Sequence, residues 1–457
     1  MSGQEAVERM FSDLNEEFRI DAEYFQKRFL NEDQHRAKLE NIQIGHLAFV
    51  TDGQHGYHEV DETSPIWHLT AKNAKGWIAD TDGADHIAKW VDDNNQRSSL
   101  QVNDVILSTR GTVGCCAIVT AAVLPANIDQ DVARIALKSN AKISPAFLLA
   151  YLNSQFGQDW LQRNASGMVQ QGLSLDKVRN IPVPVLSEGF QEAVEKAIRS
   201  AQRKFEQSHK INVETEDLLF SELGLYEWKP DDASVCTSCA SAVQISGRFD
   251  AEYFRPRYQS LLDLLRRQGK TLRDVARLRE SMFTPQPGQP FHYIEIGDLA
   301  ADGAATSHVV PGEEAPSRAT WIVQPGDVIT STVRPNRCLT GLIEPEQAES
   351  ICSSGFAVLT PKGIPAELLF AYLRLPVICE LMDLHTTASM YPAISTTDLM
   401  CLPFLLPGEA TIKKVKQQIT TARAARREAH ALLAKAKQAV EVAIEKNEKA
   451  GMAELKK

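Results

Sequence analysis

The chain has 457 residues, 43% of them hydrophobic, and a formal net charge of −10 at pH 7; that length exceeds what one core usually organises, so more than one globular unit is expected. No apolar run approaches the roughly 20 residues that cross a bilayer, and the polar start Met1-Ser2-Gly3-Gln4-Glu5 lacks the layout of a secretory signal, which predicts a cytoplasmic protein with no membrane partner. The acidic balance argues against indiscriminate, whole-surface binding to nucleic acid, because neutralising phosphates needs clustered Lys and Arg.

The first landmark in chain order is Arg19-Ile20-Asp21-Ala22-Glu23-Tyr24-Phe25. Gln43 to Thr51 and Asp104 to Ser108 are apolar, bounded by turn residues, and strand-like. Polar loops rich in glycine follow them: Thr51-Asp52-Gly53-Gln54-His55-Gly56 and Ser108-Thr109-Arg110-Gly111-Thr112-Val113-Gly114. Pro145 to Leu161 carries Leu148, Leu149, Leu152 and Phe156 at helical spacing. A further loop, Gly167-Met168-Val169-Gln170-Gln171-Gly172, precedes Leu173-Ser174. At Ile181-Pro182-Val183-Pro184 two prolines remove two donors, which predicts an end to regular structure.

From Glu188 to about Leu223 the pattern becomes a long amphipathic helix, with Phe190, Val194, Ala197, Ile198, Ala201 and Phe205 on one stripe. A linker rich in Asp, Ser and Pro, Trp228 to Ser246, comes next. It contains Cys236-Thr237-Ser238-Cys239, which has metal-ligand spacing but no second Cys pair or His pair nearby to complete a tetrahedral site, so no metal is expected. The other cysteines are scattered and read as reduced, packed thiols.

Past the linker the landmarks return in order. Arg248-Phe249-Asp250-Ala251-Glu252-Tyr253-Phe254 repeats the start, and Gly326-Asp327-Val328-Ile329-Thr330-Ser331-Thr332 answers Asn103 to Thr109, with Arg334 close behind as Arg110 is in the first copy. Leu368 to Leu373 answers Phe147 to Leu152, and Ile394-Ser395 with Leu402-Pro403 answers Leu173-Ser174 with Ile181-Pro182. A period of half the chain means two similar domains, not a solenoid of small repeats. The last element is a helix of some forty residues after Gly408, with Ile412, Val415, Ile419, Ala422, Ala425, Ala429, Leu432, Ala436, Val440 and Ala443 near heptad spacing.

The expected architecture is therefore an α/β (α+β) fold with two similar domains, 1–186 and 227–407, and two long helices, 187–226 and 408–457. An apolar stripe of that length needs a partner of similar length, so the two helices are expected to pair as an antiparallel coiled coil, a rod of roughly 50 Å that spaces the domains. Residues 412–457 hold twelve Lys and Arg against five Glu, which allows a basic face on an acidic molecule.

Catalytic patterns are missing. Leu264 stands where a phosphate-cradling loop ending in Gly269-Lys270-Thr271 requires its first glycine. There is no HExxH, no GxSxG, and no Asn or Asp followed by Pro-Pro-Tyr or Pro-Pro-Phe. What recurs is loops joining turn glycines to hydroxyl, amide and guanidinium groups; in the second copy these are Pro316 to Thr320 (with Ser317 and Arg318), Thr332 to Arg337 (with Arg334, Asn336 and Arg337) and Thr386 to Tyr391 (with Ser389 and Tyr391). Arg reads guanine in bidentate fashion, Gln and Asn read adenine, and Ser, Thr and backbone amides hold phosphate. Singly, each loop is as readily an ordinary turn whose polar residues cap the backbone; as a duplicated set beside basic helices, they point to nucleic acid.

These residues resemble the specificity subunit of a type I restriction-modification system. The resemblance rests on Thr51 to His55, His68-Leu69-Thr70-Ala71-Lys72-Asn73, Asn103 to Gly114, Asn127-Ile128-Asp129-Gln130-Asp131-Val132-Ala133, Ala315 to Ala319, and Leu173-Ser174 to Ile181-Pro182 with its following helix. It implies two target-recognition domains, each reading half of a split site in double-stranded DNA, and helices that serve as spacer and as docking surface for methyltransferase subunits. It further implies a non-catalytic chain with no cofactor of its own. The methyltransferase would use S-adenosylmethionine on adenine, and a restriction subunit, if joined, would cut unmethylated DNA. The DNA-binding residues expected are Thr51, Asp52, Gly53, His55, Lys72, Asn73, Ser108, Thr109, Arg110, Thr112, Gln170, Gln171, Ser317, Arg318, Arg334, Asn336, Arg337, Ser389 and Tyr391. Two rivals stand beside this reading: a protein-interaction scaffold whose working part is the coiled coil, and an enzyme using a metal at Cys236 and Cys239.

Overall fold

The structure, a computed structural model, describes residues 22–457 apart from 57, 167–171, 234, 235, 238–240, 242, 245, 246, 301, 388 and 389. Its contacts divide the chain into two units, Met1–Phe205 with Arg427–Lys457, and Glu206–Arg426. Both mix helix with sheet, and each contains parts of the two long helices, Glu188–Glu222 and Glu409–Glu445.

In the first unit a five-stranded sheet runs in the order Ala48–Asp52, Val132–Leu137, Val105–Ser108, Cys116–Ile118, Trp77–Ile78, and a three-stranded sheet in the order Asp85–His86, Trp67–Leu69, Ala126–Ile128. In the second unit one sheet runs Ala276–Leu278, Phe356–Pro361, Val328–Ser331, Thr340–Leu342, and the other His308–Val310, Phe291–Ile294, Ile351–Ser353, Ala319–Ile322. The first four strands of the five-stranded sheet recur in order in the second unit, and all three strands of the other sheet recur with one more added, including the parallel pair, Trp67–Leu69 with Ala126–Ile128 and Phe291–Ile294 with Ile351–Ser353.

The duplication extends to single hydrogen bonds. Before each central strand the chain turns through positive φ, 72° at Asn103 and 88° at Gly326, values that Gly and Asn tolerate best. The carboxylate after the turn then accepts from a backbone amide three residues earlier, Gln101 to Asp104 and Gln324 to Asp327, both at 2.8 Å. Ser174 and Ser395 each N-cap the short helix that follows them.

Helix Pro145–Asn153 is apolar on every side because it is buried on every side, between the sheet and long-helix residues Phe190, Val194, Ala436 and Val440. Its counterpart, Ala366–Leu373, is buried from Leu368 to Leu373. The helix expected over Pro145 to Leu161 is two helices, because Ser154 at ψ 164° ends the first and its hydroxyl caps Gln155–Asn164. The strand expected over Gln43 to Thr51 is interrupted by a helical turn, Ile44–Leu47. The prolines expected to end regular structure lie in a short strand, Pro182–Pro184, paired with Asn41–Gln43. Ile44 donates to the Ile181 carbonyl and Val185 to that of Glu40, so the ladder needs no amide hydrogen from either proline.

Within the first unit the long helices run antiparallel: the Phe205 ring meets His430 edge-on at 5.1 Å, Lys204 pairs with Glu428, and the Phe190 end lies beside Gly451. In the second unit the Gly408 amide, at the start of the C-terminal helix, donates to Glu222 at the end of the central one. The buried seam follows the expected stripe through Val415, Ile419, Ala422, Ala425, Ala429, Ala436, Val440 and Ala443, except that Leu433, not Leu432, is the buried member of its pair. The C-terminal segment is not one helix to residue 457. Asn447 is extended at φ −175°, its side chain accepts from the Ala450 amide, and a separate helix, Glu448–Lys456, follows.

Candidate nucleic-acid interface

In the first unit the expected loops meet at one end of the sheets. Gly53 donates to the Asp129 carbonyl at 3.1 Å, Thr109 to that of Asp131 at 2.7 Å, and Leu173 to that of Thr109 at 2.8 Å. A Cβ on Gly53 would lie 1.7 Å from the Ile128 carbonyl oxygen, so only glycine permits this crossing. The Arg110 guanidinium is 3.4 Å from Asp131, while Asp52 receives both His55 at 2.9 Å and Arg97 at 3.3 Å. Arg110, His55 and Arg97 keep about half or more of their side chains exposed.

Other expected residues stand in this cluster as supports. Ser108 is fully buried, its hydroxyl donating to the Thr112 carbonyl and accepting from the Cys115 amide, and Thr109 is buried beside it. Asn73 is buried, accepting from the Thr70 amide at 2.9 Å and donating to Asp80 and to the Asp82 carbonyl. The side-chain polar atoms of Ser108 and Asn73 are occupied within the fold. Thr112 and Lys72 are exposed, and Thr51, half-buried, turns its hydroxyl to the Asp52 carbonyl. Gln170 and Gln171 lie outside the described residues.

The second unit builds the same junction. Thr332 donates to the Gly355 carbonyl and Ile394 to that of Thr332, both at 2.9 Å, in the places of Thr109 to Asp131 and Leu173 to Thr109. The bridge Arg110 to Gly172 corresponds to Val333 with Ala393. Arg334 therefore stands opposite Gly111, one position beyond Arg110's counterpart, and Cys338 opposite Gly114. All four have positive φ: 71° and 96° at the glycines, 49° at Arg334 and 54° at Cys338. For side chains other than glycine that conformation costs about 1–2 kcal/mol each, and it persists where the surroundings hold it. Here the Arg334 amide donates to the Pro392 carbonyl at 2.8 Å, and its guanidinium lies 5.4 Å from the centre of the Tyr391 ring. Asn336, Arg337, Ser317, Arg318 and Tyr391 are exposed, and the Arg318 carbonyl accepts from Ser354. Ser389 lies outside the described residues.

Several members of these clusters carry no signal in the sequence that marks them for DNA contact. Asp131 was visible only within the Asn127 to Ala133 motif, and Arg97 follows an acidic stretch that gave no reason to choose it. Met390, 77% exposed beside Tyr391, is an apolar residue in a polar loop. Burial pushes the Asp129 carboxyl up to about 6, the charge of Asp131 adding to it. Some acidic residues in Asp80 to Asp93 are used internally: Asp80 accepts from Asn73 and Asp92 from Asn127.

Cys236 is a half-buried free thiol and Cys239 lies outside the described residues; no group of three or more His, Cys, Asp or Glu able to hold a metal occurs among the described residues. Nor is any helix among them long and apolar enough to cross a membrane.

No protein-family model matches the chain, and no curated protein matches its sequence. Solved structures similar to it include the S subunit of a type I restriction-modification system from M. genitalium, with 11% identity and a TM-score of 0.37 over 89% of this chain and 95% of that one. The HsdS subunit from Thermoanaerobacter tengcongensis shares 16% identity with a TM-score of 0.26, covering 89% and 97%. A chain from a structure described for assembly and conformational transition of the type I R-M system shares 16% identity at 0.27, covering 90% and 97%.

Proposed function

We propose that this chain is the DNA-recognition subunit of a type I restriction-modification complex, non-catalytic and cytoplasmic, with each unit reading one half of a bipartite site. The observation that carries the reading is the repeated junction: two units of one fold each gather hydroxyl, amide and guanidinium groups at the same sheet end, around Thr109 and Arg110 and around Thr332 and Arg334. One fold carrying different exposed groups at that end suits two half-sites of different sequence. Exposed Arg110, Arg318, Arg337, Asn336 and Tyr391 supply base-edge and stacking chemistry, while exposed cations such as Lys72 hold the backbone. Methylation of adenine, with S-adenosylmethionine, belongs to methyltransferase subunits docked on this chain, and cleavage to a restriction subunit where one is present.

The test is co-expression with the neighbouring methyltransferase in a host free of DNA methylation, followed by mapping of modified adenines by single-molecule sequencing. A split motif of two short halves at a fixed gap is expected. A stable complex that modifies nothing overturns the reading in favour of a protein scaffold.

A further inference from the structure

The second unit has a cleft of about 680 Å³ along its edge strand Ala276–Leu278, between that strand and the short helix Thr396–Cys401. Arg273, Arg277 and Lys362 line it, together with the hydroxyl residues Thr396 and Thr397, and Glu280 is the one acid in the lining. None of the three cations forms an ion pair among the described residues. Lys362 lies near Asp274, but that carboxylate is already bound by the amide and hydroxyl of Thr271. The nearest partner of Arg273 is the Cys401 sulfur at 3.7 Å.

The first unit shows what the same place looks like when it is closed. Lys138 and Lys362 correspond, because their amides donate to Leu47 and Val275 at matching positions of the two sheets. Phe49 corresponds to Arg277 through the register Ala48 with Leu137 and Ala276 with Pro361, and Arg179 to Met400 by distance from the capping Ser174 and Ser395. In the first unit every cation is satisfied. Lys138 donates to the carbonyls of His46 and Gly45, and Arg179 to Asp176 at 2.7 Å and to the Val50 carbonyl at 3.0 Å. The Arg179 Cβ lies only 3.1 Å from where a Cβ on Gly45 would stand, so Arg179 fills the space. In the second unit Gly45 is replaced by Arg273, Phe49 by Arg277 and Arg179 by Met400, and a filled site becomes an open one with three unpaired positive charges.

We propose that this cleft is a phosphate-binding site, taking a phosphodiester of the DNA backbone beside the half-site read by the second unit. Guanidinium and ammonium groups with two hydroxyl donors suit the oxygens of a tetrahedral anion. One wall of the cleft begins near the recognition end, since Thr396 follows two residues after Ile394, whose amide donates to Thr332 at the loop junction, while Lys362 stands at the other end of strand Phe356–Pro361, which leads away from that junction. The choice of DNA as the source rests on the proposed function; a free phosphate or nucleotide would present the same chemistry.

The experiment uses the full chain in complex with its methyltransferase and compares Arg273→Gln, Arg277→Gln and Lys362→Gln, singly and together, with Lys138→Gln in the first unit as a control. Duplex affinity is measured against salt on target and unrelated DNA, and binding of inorganic phosphate is measured separately by calorimetry. The triple variant is expected to lose about tenfold in affinity on both duplexes at low salt, with a salt slope smaller by about 1 to 2, because phosphate contacts release counterions without reading sequence. The methylated motif should stay the same. Unchanged DNA binding with phosphate bound by the parent and lost in the variant would support the site and assign it to a free anion. Unchanged affinity for both ligands overturns it, and so does weakened assembly with the methyltransferase alone, which would indicate an acidic protein surface as occupant. If the parent complex fails to bind DNA, the proposed function falls while the phosphate measurement still decides the cleft.

Discussion

The phenol of Tyr151 donates a hydrogen bond of 2.6 Å to the backbone carbonyl of Pro182. Tyr372 repeats it to Pro403 at 3.0 Å, at the same separation of 31 residues. In each unit this bond ties the buried helix to the segment that leads toward a long helix. Burial pushes both phenols up, so each stays a donor.

Tyr151→Phe and Tyr372→Phe should therefore each destabilise the protein, by about 1–3 kcal/mol, since each carbonyl loses its donor, the Pro403 bond being buried and the Pro182 bond partly so. Urea unfolding of the single and double variants checks this. Losses within a few tenths of a kcal/mol of zero would mean that water or relaxation satisfies the carbonyls.

Gly53→Ala has no room. With a Cβ 1.7 Å from the Ile128 oxygen, the turn at Thr51 to His55 must part from Asp129, at a cost of about 3 kcal/mol. Recognition by the first unit should suffer and that by the second should persist. Methylation mapping would show degeneracy in one half of the motif only.

Arg334→Ala removes both the stack on Tyr391 and the contact with the Met390 carbonyl. If the second unit reads its half-site through this loop, discrimination there falls by about 1–3 kcal/mol while the other half is unaffected. Arg110→Ala should give the mirror result. Competition binding with duplexes altered in one half at a time separates the two.

Glu32 carries a pH signature. Burial and a hydrogen bond with Asp159 push its carboxyl up to about 9. The folded protein thus keeps a proton that the unfolded chain releases above about 4.5, and stability declines as pH rises from that value toward 9. Glu32→Gln removes the penalty. Its melting temperature should exceed the parent's at pH 8 and approach it at pH 5.

His68 acts at the other end of the scale. Burial, with the nearby His58 adding to it, holds its imidazole down at about 4. Between the ordinary 6.5 and 4 the unfolded chain takes up a proton that the folded one refuses, so stability is lost on acidification through that window. His68→Gln should flatten the dependence of the urea midpoint on pH between 6.5 and 4.5; an unchanged slope would place the acid sensitivity elsewhere.

The sequence by itself determined the plan: two copies of one mixed fold and two long helices with a single apolar stripe each. Those properties are periodic and local, so hydrophobic spacing, turn glycines and recurrence expose them. Single side chains escaped it because their fate depends on what the chain brings beside them from a distance. Ser108, Thr109 and Asn73 look like readers in a list of polar residues, yet the fold buries all three, Ser108 and Asn73 as supports for Thr112, Cys115 and Asp80 and Thr109 in the backbone junction with Asp131 and Leu173. That Val333 sets Arg334 one position beyond the place of Arg110 is visible in the sequence, but only the bridges at Gly172 and Ala393 show the result, an arginine where the first unit has Gly111. Only the tertiary structure could decide that Arg273, Arg277 and Lys362 share one open cleft while the matching groups of the first unit satisfy each other, because charge convergence depends on sheet register and on Arg179 or Met400 filling the space between.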